Sequence, residues 1–388
     1  MHILIAPNAF KNSLGATQVA KAIEQGLKQS PLDCTTECFP IADGGDGTAS
    51  LIIERCKGFI ISQQVHDPLG RKIDCRFGLI DNGKTAVIEM ADASGLRLLK
   101  KEELKPMQTS SYGTGELINA ALDKGVSRTI IAMGGSATVD GGCGILKALG
   151  LDFLDKNGNR LKAIPDELLK MVKIDDSGLD QRIRNTEIII LCDVNNKLLG
   201  SEGAAAIFGP QKGASPSDVK LLNNVLTNFA TVSKEQLGTD MTSIQHGGAA
   251  GGATAGLSTW LNAKLVNGIE YFLSLTGFDE ALKKANLIIT GEGSIDTQTL
   301  QGKGPYGVAV AAKKRNISVV GLAGCVPTKP DAGLQEYFDV LLSINGGFID
   351  MPTAIANTEK NLIDTARGLG DMIASGKLNF SQGDPRIC

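Results

Sequence analysis

Histidine is scarce in this chain of 388 residues: His2, His66 and His246 are the only three. None has a partner at ligand spacing, and there is no Gly-x-Ser-x-Gly elbow, so a Ser-His-Asp hydrolase is poorly supported. Aromatic residues make up only 4%, too few for the stacking platforms on which single-stranded nucleic acid is read. Basic residues form no cluster dense enough to track a phosphodiester backbone, and the formal net charge is −3. Nucleic acid is therefore not an expected partner. No apolar run approaches the ~18 residues of a membrane span, so no membrane partner is expected either. The opening MHILIAP meets Lys11 soon after and does not read as a signal peptide, which predicts a cytoplasmic protein. Of the eight cysteines only Cys34 and Cys38 lie close together. No second pair completes a zinc site, and the set reads as reduced, buried thiols.

What is present is glycine, 47 residues of it, in a chain 42% hydrophobic and 21% charged. That is an ordinary soluble balance. Abundant glycine with few aromatics suits an α/β protein with many tight strand–helix turns. The length favours two domains.

Residues 2–6 form a short apolar run ended by Pro7, a first buried strand. Val19, Ala20, Ile23 and Leu27 recur at helical spacing, which predicts a helix over 16–29. A strand over 35–41 and a helix over 48–56 complete a β-α-β-α opening, typical of a parallel sheet. The rhythm then breaks. Runs 59–65, 72–80 and 85–90, with Asn82-Gly83 between the last two, predict a β-meander. The alternation of strand and helix resumes near residue 109, with strands over 129–133 and 187–191. A polar stretch, 231–247, leads into the Gly/Ala-rich 247–256, where a mobile loop is expected. Three buried strands follow at 287–290, 318–322 and 340–344, with helices over 305–314 and 353–373.

The opening offers only two strands, too few for an independent domain. They are expected to join the last three in one Rossmann- or flavodoxin-like parallel sheet. The expected division is a discontinuous α/β domain of residues 1–60 and 286–388, with a mixed α/β domain of residues 61–285 inserted.

Gly134-Gly135-Ser136-Ala137-Thr138-Val139-Asp140-Gly141-Gly142 follows a strand and precedes a helix. Glycines let backbone N–H groups approach an anion, and Ser136 and Thr138 can donate to phosphate oxygens. No Gly-Lys-Ser/Thr closes the run, so it is not a Walker A loop; a tight structural turn is the alternative. Asp43-Gly44-Gly45-Asp46-Gly47 ends a strand, where open α/β sheets place ligands. Its carboxylates suit Mg²⁺ or substrate hydroxyls, although Asp-Gly pairs are also ordinary turn chemistry. Glu292 and Asp296 lie just beyond another strand, as phosphoryl transfer requires of acids that hold Mg²⁺ or orient the attacking hydroxyl. N-capping by Ser294 or Asp296 is the competing reading. Lys303 is near enough in sequence to reach the same region. Asp193 again follows an apolar strand, Lys212 sits on a Gly/Pro turn, and Lys11 follows the first strand. Each of these could be a plain solvated turn or charge. A nicotinamide-dependent oxidoreductase would need a glycine fingerprint after the first strand, which Pro7–Lys11 does not supply.

Taken together, APNAFKNSL (6–14), ADGGDGT (42–48), DPLGR (67–71), SYGTGELI (111–118), GGSATVDGGCGILKALG (134–150), CDVNN (192–196), FGPQKGA (208–214), GAAGG (248–252) and TGEGSIDTQTLQGK (290–303) resemble the bacterial type I glycerate kinase family. They occur in family order and span most of the chain. Position 8 is Asn where the family often has Asp. The resemblance implies two α/β domains with the active site in the cleft between them, and ATP-dependent phosphorylation of glycerate, with the 2-phosphate favoured over the 3-phosphate. It implies ATP and Mg²⁺ as cofactors and a monomer or homodimer. The expected roles are metal binding by Asp43 and Glu292 and catalysis by Lys11, Asp193 and Asp296. Asn8, Ser13, Gly44, Gly45, Gly134, Gly135, Ser136, Thr138, Lys212 and Lys303 are expected to bind substrate or ATP. A non-catalytic sugar-acid-binding protein on the same scaffold is the alternative.

Overall fold

The computed structural model describes residues 1–347 and 349–380. The chain divides into two compact units: Met1–Asp43 with the chain from Ile269 onward, and Gly44–Gly268. In chain order the first strands are β1 (His2–Ile5) and β2 (Thr35–Cys38). The meander follows as β3 (Phe59–His66), β4 (Lys72–Ile80) and β5 (Thr85–Glu89). Then come β6 (Arg128–Ala132), a small antiparallel pair β7 (Asp152–Leu154) and β8 (Lys173–Asp175), β9 (Glu187–Cys192) and β10 (Lys264–Asn267). The last three are β11 (Leu287–Ser294), β12 (Ser318–Cys325) and β13 (Val340–Ser343).

The discontinuous unit holds a five-stranded sheet in the order β13-β12-β11-β1-β2, every pair parallel. The expected joining of the first two and last three strands is therefore present. The runs in β1, β12 and the first half of β11 are near-continuously apolar and buried, as in a covered parallel sheet, whereas the edge strand β2 (Thr35–Cys38) is polar and only partly buried. On one face, Val19, Ile23 and Leu27 of the helix Ala16–Lys28 pack with Leu362, Ala366 and Leu369 of the helix Thr358–Ala374 against Ile3, Ile5 and Val320. Each fully buried Leu or Ile of this kind contributes about 1.5–3 kcal/mol. The chain runs from β1 to β2 on one side, and β11 lies on the other. The strand order therefore reverses between β1 and β11, and open parallel sheets bind ligands beyond the strand ends at such a junction.

The continuous unit holds a mixed six-stranded sheet in the order β10-β9-β6-β5-β4-β3. The pairs β3–β4 and β4–β5 are antiparallel, as the meander pattern predicts, and the remaining pairs are parallel. Its core gathers Phe77, Ile88, Leu117, Ile131, Leu146 and Ile190 with Phe229.

Two expectations need correction. Residues 231–237 are not loop: they end a 22-residue helix, Pro216–Leu237. Its start is fixed by Ser215, whose Oγ accepts from the Asp218 N–H, with Pro216 in the first turn, and its end by Gly238 at φ +73°. The polar composition concealed a buried stripe of Leu222, Val225, Leu226, Phe229 and Val232. Thr227 and Thr231 satisfy their hydroxyls on the helix itself, at the Asn223 and Thr227 carbonyls. The adjoining Gly247–Ala249 and Gly251–Gly256 are buried: a packed turn over Ala249–Gly252 leads into the helix Ala253–Leu261, so this is not a surface loop. The helix expected over 353–373 is two helices, Met351–Ala356 and Thr358–Ala374, broken at Asn357.

Candidate active site

Each unit gathers its own set of polar groups at the carboxyl ends of its strands. In the discontinuous unit the set lies at the β1/β11 junction. Asn8 follows β1, and its Nδ2 donates to Asp43 Oδ2 at 2.9 Å. The Gly304 N–H, at the start of the helix Gly304–Lys313, donates to the same oxygen at 3.2 Å. A side chain on Gly304 would meet Asn8 Nδ2 at 2.9 Å and Ile41 Cδ1 at 3.0 Å, so the helix end approaches Asp43 through a bare backbone. Glu292, on β11, is 9% exposed and accepts from Thr299 Oγ1 at 2.9 Å. Burial pushes its carboxyl up to about 7; Lys303, the Thr299 bond and Lys11 oppose this, and Asp43 adds to it. Asp43, Glu292, Lys11 and Lys303 thus share one electrostatic neighbourhood.

Two residues assigned from sequence also make hydrogen bonds within their own unit. The Ser13 hydroxyl donates to the Ile355 carbonyl. Asp296 closes its own turn, with Oδ1 accepting from the Gln298 N–H at 2.8 Å and its N–H donating to Thr299 Oγ1 at 3.2 Å.

In the continuous unit the two glycine-rich segments meet. The Gly134 N–H donates to the Gly44 carbonyl at 3.0 Å. A Cβ on Gly134 would lie 2.5 Å from Gly45 Cα, so any other residue there would force the segments apart. Gly44 has φ +103° and backs onto the Leu191 carbonyl at the end of β9, a conformation and a clearance that only glycine meets. The Gly135 backbone is exposed, whereas Ser136 and Thr138 are buried.

Beneath this loop lies Lys212, 2% exposed. Its Nζ donates to Ser136 Oγ at 2.8 Å and to the Thr138 carbonyl at 2.7 Å. Asp193 is half-buried just beyond β9, at the same end of the sheet.

Sequence reasoning did not assign a role to two buried acids here. Glu89, the last residue of β5 and 3% exposed, accepts from the Gly47 N–H at 2.9 Å and the Ala49 N–H at 3.2 Å. It thereby pins the segment that carries Gly44, Gly45 and Asp46. Arg97 bridges Glu89, Asp46 at 2.8 Å and Asp92. Burial pushes the Glu89 carboxyl up to about 7; the Gly47 N–H and Arg97 oppose this, and Asp92 and Asp46 reinforce it. The second acid is Asp140, fully buried. It accepts from the Ser111 N–H and Oγ, at 2.8 and 2.7 Å, and from the N–H groups of Gly142 and Gly144. It fixes the far end of the glycine loop from inside. Both acids carry a signal visible in the sequence, an acid closing a buried strand or set inside a glycine run.

No helix among the described residues is long and apolar enough to cross a membrane.

Comparison with known proteins places these clusters in a family. The sequence model of the Glycerate kinase family matches residues 3–374. A glycerate kinase of Bacillus subtilis (strain 168) is 42% identical, over 98% of this chain and all of its own length. A glycerate 2-kinase of Escherichia coli (strain K12) is 41% identical, over 98% of this chain and 100% of its own. A crystal structure from Salmonella typhimurium LT2, described as a glycerate kinase 2, superposes with a TM-score of 0.81 at 41% identity. That match covers 97% of this chain and 99% of the Salmonella chain. Near-complete coverage at this identity, together with the motif order and the two-unit architecture, shows that this chain is an enzyme belonging to the glycerate kinase family.

Proposed function

We propose that the chain transfers the γ-phosphoryl group of ATP to a hydroxyl of glycerate, forming 2-phosphoglycerate in preference to the 3-phosphate. The observation that carries the reading is the direct backbone contact between the Gly44–Asp46 and Gly134–Gly135 segments. It leaves Gly135 exposed above the buried Lys212, an arrangement suited to phosphate oxygens. The name of the Escherichia coli relative favours the 2-position.

The residues of the discontinuous unit supply the complementary chemistry. Lys11 and Lys303 are the cations beside Asp43 and Glu292, and they would neutralise the glycerate carboxylate and the charge developing on the phosphoryl group. Asp193 or Asp296 would orient the attacking hydroxyl. The two sets of groups are adjacent along the chain at Asp43-Gly44, where Asp43 ends the first segment of one unit and Gly44 begins the other. We propose that they serve a single reaction, in the interdomain cleft that the family resemblance implies.

Mg²⁺ is compatible with these residues in one form only. Among the described residues no group of three or more His, Cys, Asp or Glu could hold a metal ion. In phosphoryl-transfer sites Mg²⁺ uses one or two carboxylates and completes its shell with water and phosphate oxygens, and Asp43 with Glu292 provides that pair. When bound, the ion supplies neutralisation of the phosphate charge. Glu292, held partly protonated near pH 7 by burial, would be ionised by a nearby cation.

The test is ADP release from ATP, Mg²⁺ and D-glycerate by the wild-type chain and by Asp43→Asn, Asp193→Asn and Asp296→Asn. Loss of a correctly aimed charge should lower turnover by about 10²–10³. Wild-type turnover in all three variants would overturn these role assignments. Absence of glycerate-dependent ADP release from the wild type would overturn the function.

A further inference from the structure

Lys212 is an unusual cation. It lies in the tight turn Pro210–Lys212, and the backbone that carries it cannot give way: a Cβ on Gly213 would fall 2.1 Å from the Leu104 carbonyl oxygen. The amine is 2% exposed and both of its hydrogen bonds go to neutral oxygens, Ser136 Oγ and the Thr138 carbonyl. The acid whose charge acts on it is Asp140, and the Asp140 carboxylate is already committed to Ser111, Gly142 and Gly144. A buried ammonium without a hydrogen-bonded carboxylate is costly, and such a group gives up its proton more readily than usual.

Ser136 connects this amine to the glycine loop. Its Oγ accepts from Nζ and keeps its own O–H free to donate, and the neighbouring Gly135 backbone is exposed. An anion held by the loop amides and the Ser136 hydroxyl would sit one hydroxyl away from the amine, and would supply the negative charge that the interior withholds.

We propose that an anionic ligand docking on the Gly134–Gly142 loop draws a proton from solvent onto the Lys212 amine, so that binding and protonation of this lysine are coupled. The proton comes from bulk water or buffer, the amine becomes an ammonium, and the ligand loses none. The inference rests on the proposed phosphate- or substrate-binding role of the loop and adds a regulation to it.

The direction is supported by burial, which lowers the free-state Lys212 to about 7, with Asp140 opposing. At pH 6 the amine is already protonated and binding takes up little. At pH 8 it is mostly neutral and binding takes up most of a proton. Of the other groups in contact with Nζ, Ser136 and Thr138 are uncharged.

Isothermal titration calorimetry of the full-length chain in two buffers of different ionisation enthalpy reads the proton count directly. ATP with excess Mg²⁺ and D-glycerate are titrated separately, because neither changes its own ionisation near pH 8. The expected result is uptake of roughly half to one proton at pH 8 for the ligand that occupies the loop, falling at pH 6 toward zero for D-glycerate and toward net release for ATP with Mg²⁺, which also ionises Glu292. Lys212→Arg keeps a permanent cation and should bind with no uptake at either pH. If both ligands bind the wild type without proton uptake, or uptake persists in Lys212→Arg, the coupling is overturned while the kinase reading stands. If neither ligand binds the wild type, the reading of the loop falls and the coupling falls with it.

Discussion

Replacing Glu89 with Gln isolates one buried charge with minimal change of shape. The wild-type carboxyl is 3% exposed and is moved by burial from 4.5 to about 7. Its folded-state value is raised, so between pH 4.5 and 7 the folded chain keeps a proton that the unfolded chain releases. The stability this contributes is fully present below pH 4.5 and is lost as pH rises through 7. At roughly 1.4 kcal/mol per pH unit, the full loss is on the order of 3 kcal/mol. Glutamine does not titrate. It also keeps only one acceptor for the Gly47 and Ala49 N–H groups, which costs about 1 kcal/mol at every pH. The variant should therefore be the less stable protein at pH 5 and should recover by about 2–3 kcal/mol relative to wild type by pH 8. Trp260 is the chain's single tryptophan, lies in the same unit as Glu89 and is anchored by Ser233. Its fluorescence in urea titrations at several pH values reports the relevant transition. A stability difference that stays constant from pH 5 to 8 would refute the argument that burial governs this acid.

Other perturbations probe the remaining parts. Gly134→Ala places a methyl 2.5 Å from Gly45 Cα; it should separate the two loop segments and raise KM for the ligand they hold, with a stability loss of about 1–3 kcal/mol by urea unfolding. Asp140→Ala strips four hydrogen bonds from buried donors and should cost more than about 3 kcal/mol, against a negligible effect of Ser13→Ala on steady-state turnover. Lys212→Met should flatten the stability profile above neutrality. The wild-type lysine is depressed to about 7, so the unfolded state binds more protons between pH 7 and 10 and wild-type stability rises across that range.

Much of the fold was legible because its strands are buried on both faces. The runs at 2–6, 287–290, 318–322 and 340–344 have no competing helical period, and two strands alone could not make a sheet, so joining the chain's two ends was the remaining solution. The meander was legible from its alternation and its Asn-Gly turn. The helix over 216–237 was obscured in its second half, because threonine and lysine there face water or bond back to the helix while the apolar stripe thins to Val232. The glycine loops were found because glycine at such density is informative. Their supports were not, since Glu89 acts through the N–H groups of Gly47 and Ala49, and Asp140, besides the nearby Gly142 and Gly144 N–H groups, through Ser111 from another segment. Spacing along one chain does not report such long-range partners. Asp296 shows the converse: its position after a strand is equally that of a turn-closing residue, and its bonds to the 298–299 turn are of that kind.

The most direct test is the proton-coupled phosphorus NMR spectrum of the product formed from ATP, Mg²⁺ and D-glycerate. The account predicts a new phosphate ester split into a doublet by the single hydrogen on C2. A triplet from the two hydrogens on C3 would contradict the assigned hydroxyl, and the absence of any new ester would contradict the kinase reading itself.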